Sequence, residues 1–338
     1  MNASDGKLAS GAQVELAVVV PVYNEAANIA PLLARLTPVL ERVAATHRVV
    51  FINDGSRDST MDAIHAANAA DPRVAAVSFS RNFGKEIAIA AGLDNADADA
   101  VIIMDADLQH PPETIEAFAA KWREGYQNVY GVRTGRDTES AIRRMAAHRF
   151  YRVFATLGET ELPEGAGDFR LLDRQCVLAL RAMGERARFS KGLYAWIGFK
   201  STGIPYVVEE RASGESKFSY RKLTRFALDG LMSFSTMPLM VWTYIGTIIS
   251  IFAILMAMRF LLETAIYGID VPGFATIIVS VMFLGGVQLL SLGVLGEYIG
   301  RIFAEVKRRP LYLVGERVGL PDDPTCDPAP RSHARRVA

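Results

Sequence analysis

Two long uncharged stretches late in the chain limit what it can become. Pro238 to Met258 reads PLMVWTYIGTIISIFAILMAM, and Val271 to Leu295 also lacks Asp, Glu, Lys and Arg. Each is long enough to cross a hydrocarbon core, which needs about 20 helical residues. Two such runs in succession argue against a buried soluble helix, so two transmembrane helices are predicted within residues 237–300. The connector carries Glu263 and Asp270 with Arg259 as its only cation, whereas Arg301, Lys307, Arg308 and Arg309 follow the second run. Cytoplasmic flanks collect Lys and Arg, so both termini are predicted to face the cytoplasm. Gly285, Gly286, Gly293, Gly296 and Gly300 lie on the second run or its exit. Small residues there permit close helix packing, from which a homo-oligomer is expected.

The rest of the chain has a different composition. Charges are frequent up to about Arg225 and sparse from Ser233 to Val294, while the formal net charge of all 338 residues is zero. No basic excess points to nucleic acid. Cys176 and Cys326 lie too far apart for a disulfide framework or a metal-ligand pair. Residues 1–13 are polar and small, which reads as a flexible N-terminus rather than a signal peptide. Beyond Leu320 the Pro, Asp and Arg content predicts disorder within the cytoplasmic segment 301–338.

Between these ends, apolar runs alternate with amphipathic stretches. Leu16–Val20, Val49–Ile52, Val74–Ser78 and Val101–Met104 read as strands. Helical spacing covers Ala27–Ala44, Asp58–Ala69 and Lys85–Asn95. This alternation predicts an α/β domain over 14–219 with a mostly parallel, doubly wound sheet. Ligands of such sheets bind beyond the carboxyl ends of the strands. There the first strand runs into Pro21-Val22-Tyr23-Asn24-Glu25, the second into Asn53-Asp54-Gly55-Ser56 and the fourth into Asp105-Ala106-Asp107-Leu108-Gln109. Asp105 and Asp107, two apart, would point the same way in an extended chain. Paired carboxylates call for a hard cation, and magnesium takes one or two carboxylates plus substrate phosphates, with Gln109 as a neutral oxygen donor. The absence of a G-x-x-x-x-G-K-S/T loop argues against an ATPase.

Cations cluster elsewhere. Ile142 to Leu157 places apolar residues broadly on one side, flanked by Arg143, Arg144, His148, Arg149 and Arg152. That pattern suits an interfacial helix, with a core-packed helix bearing a solvated basic face as the alternative. Residues 220–236 read as a second interfacial helix leading into the first span. Arg133 and Arg136, after the strand-like Asn128–Val132, are candidate phosphate contacts or solvated surface charge. Gly214 to Lys217 is a flexible stretch in which Lys217 is a candidate phosphate ligand. The histidines form no metal site, although His110 directly follows Gln109.

The segments VVVPVYNEAANI, INDGSRDST, SRNFGKEIAIAAGLDNA and MDADLQHPPE closely resemble family 2 glycosyltransferases of the Rossmann-like GT-A fold. GAGDFRLLDR, FSKGLYAWIGF, RASGESKFSYRKL and FALDGLMSFST are similar to the polyprenyl-phosphate branch, closest to the bactoprenol glucosyltransferases and further from dolichyl-phosphate mannose synthase. The resemblance covers about residues 14–315, and the Q-x-x-R-W motif of processive synthases is absent. It implies a nucleotide-sugar site at Pro21, Tyr23, Glu25, Asp54, Lys85, Asp105, Ala106 and Gln109, with Glu25 and Asp54 at the uracil and ribose. It implies Mg2+ or Mn2+ at Asp105, Asp107 and Gln109, and catalytic roles for Asp107, Asp168 and Lys217. Arg211, Ser216 and Lys217 would grip phosphate, joined by Arg133 and Arg144. The reaction so implied is inverting transfer of one hexose, first of all glucose from UDP-glucose, to undecaprenyl phosphate among the membrane lipids. Galactose, N-acetylglucosamine, mannose or an aminoarabinose derivative is the alternative sugar, and a non-catalytic nucleotide-sugar-binding subunit the alternative class. A phosphate monoester has its second pKa at about 6, so the acceptor is already anionic and a dedicated base is optional. Asp168 is open between base and positioning residue.

Overall fold

A computed structural model describes residues 14–134, 166–186, 188–209, 237–267 and 273–321. Arg136, Arg144, Arg211, Ser216 and Lys217, both predicted interfacial helices and residues 1–13 lie outside the described residues.

The sheet is built around β1 (Val14–Val22), whose residues from Leu16 to Val20 are all buried. A strand covered on both faces reads as a continuous apolar run, and its side chains still alternate between faces. Leu16, Val18 and Val20 join one core with α1 (Ala26–Val43), while Ala17 and Val19 join the other. Helix α1 contributes Ile29, Leu32, Leu36, Val39 and Leu40, the three-and-four spacing of a single buried stripe. The chain continues through β2 (His47–Asn53), α2 (Thr60–Ala70) and β3 (Val74–Phe79). Helix α3 (Lys85–Asn95) then returns it across the sheet to β4 (Ala98–Ile103). That return demands a close approach: a Cβ on Gly92 of α3 would lie 2.1 Å from a methyl of Val19. β1 therefore sits between β2 and β4, both parallel to it.

After α4 (Thr114–Arg123) and β5 (Asn128–Thr134) comes β6 (Ala166–Asp173), then α5 (Arg174–Ala182), α6 (Ser190–Trp196) and β7 (Ser201–Val207). β6 inserts between β4 and β5, antiparallel to both. β7 pairs parallel with β5 at the edge. The strand order is β7-β5-β6-β4-β1-β2-β3-β8, with more parallel than antiparallel pairings. The predicted α/β architecture is thus present, with β6 as an antiparallel insertion that apolar periodicity did not locate.

Two long helices follow, α7 (Met237–Tyr267) and α8 (Phe274–Val306). They overrun the predicted runs: α7 continues past Met258 and carries Arg259 and Glu263 in its last turns, and α8 continues past Leu295. Ile248, Ile251, Phe252, Met282, Leu289 and Phe303 are among their exposed apolar side chains. Among the described residues one stretch, Ser280–Val306, is long and apolar enough to cross a membrane, with mean hydropathy 1.4, and Tyr244–Met256 is a shorter apolar one.

Beyond α8 the chain comes back to the sheet. β8 (Val314–Val318) pairs antiparallel with β3, so the 14–219 boundary omits the eighth strand of the sheet. Ser80 donates its N–H to the carbonyl of Leu313 at 3.0 Å, Tyr312 stacks on Phe79 with centroids 5.0 Å apart, and Arg317 donates to Asn95. Leu311, Tyr312, Val314 and Leu320 pack onto the sheet; the stretch expected to be disordered begins after Leu320, and beyond residue 321 it lies outside the described residues.

Candidate active site

The chain reverses direction across the sheet at β1 and β4, and a cleft of about 380 Å³ opens beyond their carboxyl ends. Open α/β sheets bind ligands at such a switch point. Seven of the eight residues predicted for the nucleotide sugar line it, namely Pro21, Tyr23, Glu25, Asp54, Lys85, Asp105 and Ala106, together with Asp107. Gln109 does not line it; its main-chain carbonyl instead accepts the N–H of Glu209 at 3.4 Å. Asn82 and Gly84 line it and were not foreseen.

The loops at the strand ends brace one another. Asn24 accepts the N–H of Arg57, and Ser56 Oγ accepts the N–H of Asn24, both at 2.9 Å. Glu25 receives the side-chain amide of Asn28 while its own N–H reaches Thr60. Asp54, predicted at the uracil and ribose, lines the cleft and also braces a neighbouring loop. Its two carboxylate oxygens accept the N–H groups of Phe83 at 2.6 Å and Gly84 at 2.9 Å, which pins the loop that starts α3. Burial pushes its carboxyl above the usual range, against the pull of those two amides. Gly55 permits this approach: its φ is 67°, and a Cβ there would stand 2.4 Å from the Arg81 backbone.

Asp105 and Asp107 reach the cleft by a route other than the extended one expected. β4 ends at Ile103, the chain turns at Ala106 and Asp107, and Leu108 has a φ of 59°. The turn closes with the Gln109 N–H on Asp107 Oδ1 at 3.1 Å. Strand register supplies the partner. Ile103 pairs with Arg170, so two residues further along, Asp105 comes alongside Asp168 of the antiparallel β6. Lys85 bridges them: its Nζ lies 2.6 Å from Asp105 Oδ1 and 3.1 Å from Asp168 Oδ2. Burial pulls the Lys85 ammonium down, but the two carboxylates outweigh it and hold the group above its ordinary pKa. For Asp168, burial pushes up while Lys85, then Lys191 and Arg170, bring the carboxyl down to about 2. Asp168 is therefore ionised at neutral pH and a weak proton acceptor. Its Oδ1 is buried without a hydrogen-bond partner among the described residues.

Behind Asp168 lies a layer of buried charge that sequence reasoning missed. Arg170 is buried, lies 3.6 Å over the Tyr194 ring and donates to the Gly167 carbonyl at 2.6 Å. Glu86 accepts both the N–H, at 3.0 Å, and the hydroxyl of Ser190. Burial, then Asp168, raises the Glu86 carboxyl, while burial lowers the Lys191 ammonium. One signal was available: Arg170 interrupts the apolar run of FRLLD on the strand face it shares with Leu172, where a charge has to be buried. On the opposite face, His110 is 1% exposed, and burial holds its imidazole below the usual range. Arg133, at the end of β5, donates to the Tyr206 hydroxyl at 3.2 Å, within electrostatic reach of His110 and Lys191.

The donor set fits a divalent cation that shares its sphere with a substrate. Among the described residues no three His, Cys, Asp or Glu groups form a closed metal site. Asp105 and Asp107 both face the cleft, and two carboxylates completed by phosphate oxygens suit Mg2+ or Mn2+.

Comparison with known proteins agrees with this layout. The model of glycosyl transferase family 2 matches residues 17–178. A glycosyltransferase of Synechocystis sp. is 48% identical over 91% of this chain and 96% of its own length. The SfII prophage-derived bactoprenol glucosyl transferase of Shigella flexneri is 42% identical over 89% of this chain and 97% of its own. The prophage bactoprenol glucosyl transferase homolog of Escherichia coli K12 is also 42% identical, over 89% and 98%.

Proposed function

Because this chain belongs to glycosyl transferase family 2, we propose that it transfers a single hexose, glucose from UDP-glucose, to undecaprenyl phosphate with inversion at the anomeric carbon. The observation that carries the mechanism is Lys85, which joins Asp105 of the donor turn to Asp168 of the neighbouring strand. The acceptor phosphate needs no deprotonation near neutral pH, since its second pKa is about 6. A carboxyl held at about 2 is poorly matched to a base role, so Asp168 orients the sugar or the acceptor and balances Lys85. Lys85 stands where negative charge develops on the departing diphosphate and can turn from Asp105 toward it. A divalent cation held by Asp105 and Asp107, which line the cleft as Gln109 does not, would together with the donor diphosphate supply Lewis-acid stabilisation of the leaving group. Arg133, Arg144, Arg211, Ser216 and Lys217 would receive the acceptor phosphate.

A lipid acceptor explains the apolar helices. We assign α7 and α8 as two membrane spans within residues 237–300, residues 220–236 as an interfacial helix and both termini to the cytoplasmic side of the inner membrane. The exposed apolar side chains of both helices support this reading, as do the cations after Leu295. Small residues along α8 support a homo-oligomer, which crosslinking in native membranes tests.

The function is tested with purified protein, undecaprenyl phosphate and a panel of radiolabelled UDP-glucose, UDP-galactose, UDP-N-acetylglucosamine and GDP-mannose, with and without Mg2+ or Mn2+. The expected result is metal-dependent formation of lipid-linked glucose. Preference for another donor reassigns the sugar, and no transfer from any donor makes the chain a non-catalytic subunit.

A further inference from the structure

We propose that His110 is a positioning residue that locks the Asp105–Asp107 turn onto the strand presenting Asp168. The inference rests on the reading of Asp105 as a donor-side group. Its basis is the number of site supports that one buried ring touches. Nδ1 accepts the main-chain N–H of Asp105 at 3.3 Å. The ring stacks on Phe169, the neighbour of Asp168, with centroids 4.8 Å apart and planes 10° from parallel. Tyr206 meets it edge-on at 5.7 Å, and the Tyr206 hydroxyl accepts from Arg133. Supports of Asp105, Asp168 and Arg133 therefore converge on one imidazole.

Packing alone does not call for histidine here. An imidazole that accepts at Nδ1 carries its proton on Nε2. That Nε2 is buried with no hydrogen-bond partner among the described residues, a cost a phenyl ring would avoid. What imidazole adds to a flat apolar ring is the acceptor aimed at Asp105. The turn needs such a hold, because Leu108 occupies the left-handed region at a φ of 59°. Lys85 grips the Asp105 side chain, and His110 grips its main chain while stacking on the other face of β6. A displacement of about 1 Å at a reacting centre costs on the order of 10²-fold in rate, so the second hold has work to do.

Two variants separate positioning from packing. His110→Phe keeps the stack and loses the acceptor; His110→Asn keeps a short acceptor and loses the ring. Each is assayed beside wild type for thermal midpoint, for calorimetric UDP binding as Mn2+ is varied, and for transfer kinetics. For His110→Phe the expected result is an unchanged or higher midpoint, with about tenfold weaker Mn2+-dependent UDP binding and kcat/KM, as for one lost hydrogen bond. His110→Asn is expected to recover much of the Mn2+ response despite a lower midpoint. Wild-type Mn2+ response and kinetics in His110→Phe would overturn the proposal. So would losses in both variants that simply follow the fall in midpoint. A wild type that binds UDP with Mn2+ but transfers no sugar would overturn the proposed function instead, leaving the binding comparison to decide on His110.

Discussion

The wall of the cleft proposed for the donor, made by the ends of β1, β2 and β4, and the buried layer behind Lys85, made by β6 and α6, hold their charges by different means. On the donor wall, backbone amides satisfy carboxylates: Asp54 takes Phe83 and Gly84, and Asp107 takes Gln109. In the buried layer, charged side chains balance one another. Asp168 answers to Lys85, Lys191 and Arg170, and Arg170 rests on Tyr194. A carboxylate tied to main-chain amides is held by the fold itself. One balanced by lysines changes its environment as soon as a lysine finds another anion. The donor wall is therefore expected to act as a template, and the Asp168 layer as the part that responds to phosphate. Lys85 belongs to both.

The largest effect should come from emptying the template. Replacing Asp105 and Asp107 together by Asn is expected to cut transfer by about 10³-fold or more while the thermal midpoint changes little. Steady-state assay of lipid-linked product measures it, and retention of more than a tenth of the activity would break the donor-wall assignment. Next is the shared lysine. Lys85→Met is expected to lower kcat about 10²-fold and to release Asp168 from its main counter-charge. The sign follows from the depressed carboxyl: its stabilisation is complete above the ordinary range near 4 and is lost as pH falls toward about 2. In the variant that acid transition moves to higher pH, which thermal midpoints between pH 2 and pH 5 would show. An unmoved transition would mean that Lys191 and Arg170 suffice. The smallest effect concerns the returning C-terminal segment. Tyr312 stacks on Phe79, which meets Phe83 edge-on at 5.6 Å, and Phe83 donates to Asp54. Tyr312→Ala is expected to raise the donor KM roughly two- to tenfold with kcat preserved, the worth of about one aromatic pair. A change in kcat alone would place its effect outside the donor loop.

These expectations divide along the same line as the legibility of the two regions. The donor wall was readable because each of its groups sits directly after an apolar run: Pro21 to Glu25, Asp54, and Asp105 to Gln109. The first residue of α3, Lys85, was placed to the residue. Its bond to Asp105, 20 positions further on, was not, since the intervening sequence says nothing of which side chains meet. Asp168 entered through family resemblance rather than through pattern. Arg170, Glu86, Ser190 and Lys191 went unassigned, because a buried charge is recognisable only once its cover is known.

Local chemistry alone determined the run of strands and helices from Leu16 to Met104, the acidic groups at their ends and the long uncharged stretches that became α7 and α8. Periodicity and charge are properties of neighbouring residues, so they survive in a bare sequence. Only the tertiary structure decided that β6 enters antiparallel beside β4, that a turn rather than an extended strand presents Asp105 and Asp107, and that β8 returns from beyond α8 to close the sheet. Strand order and register depend on pairing between segments far apart in the chain. That pairing sets Asp168 against Asp105 and gives Lys85 two carboxylates to join.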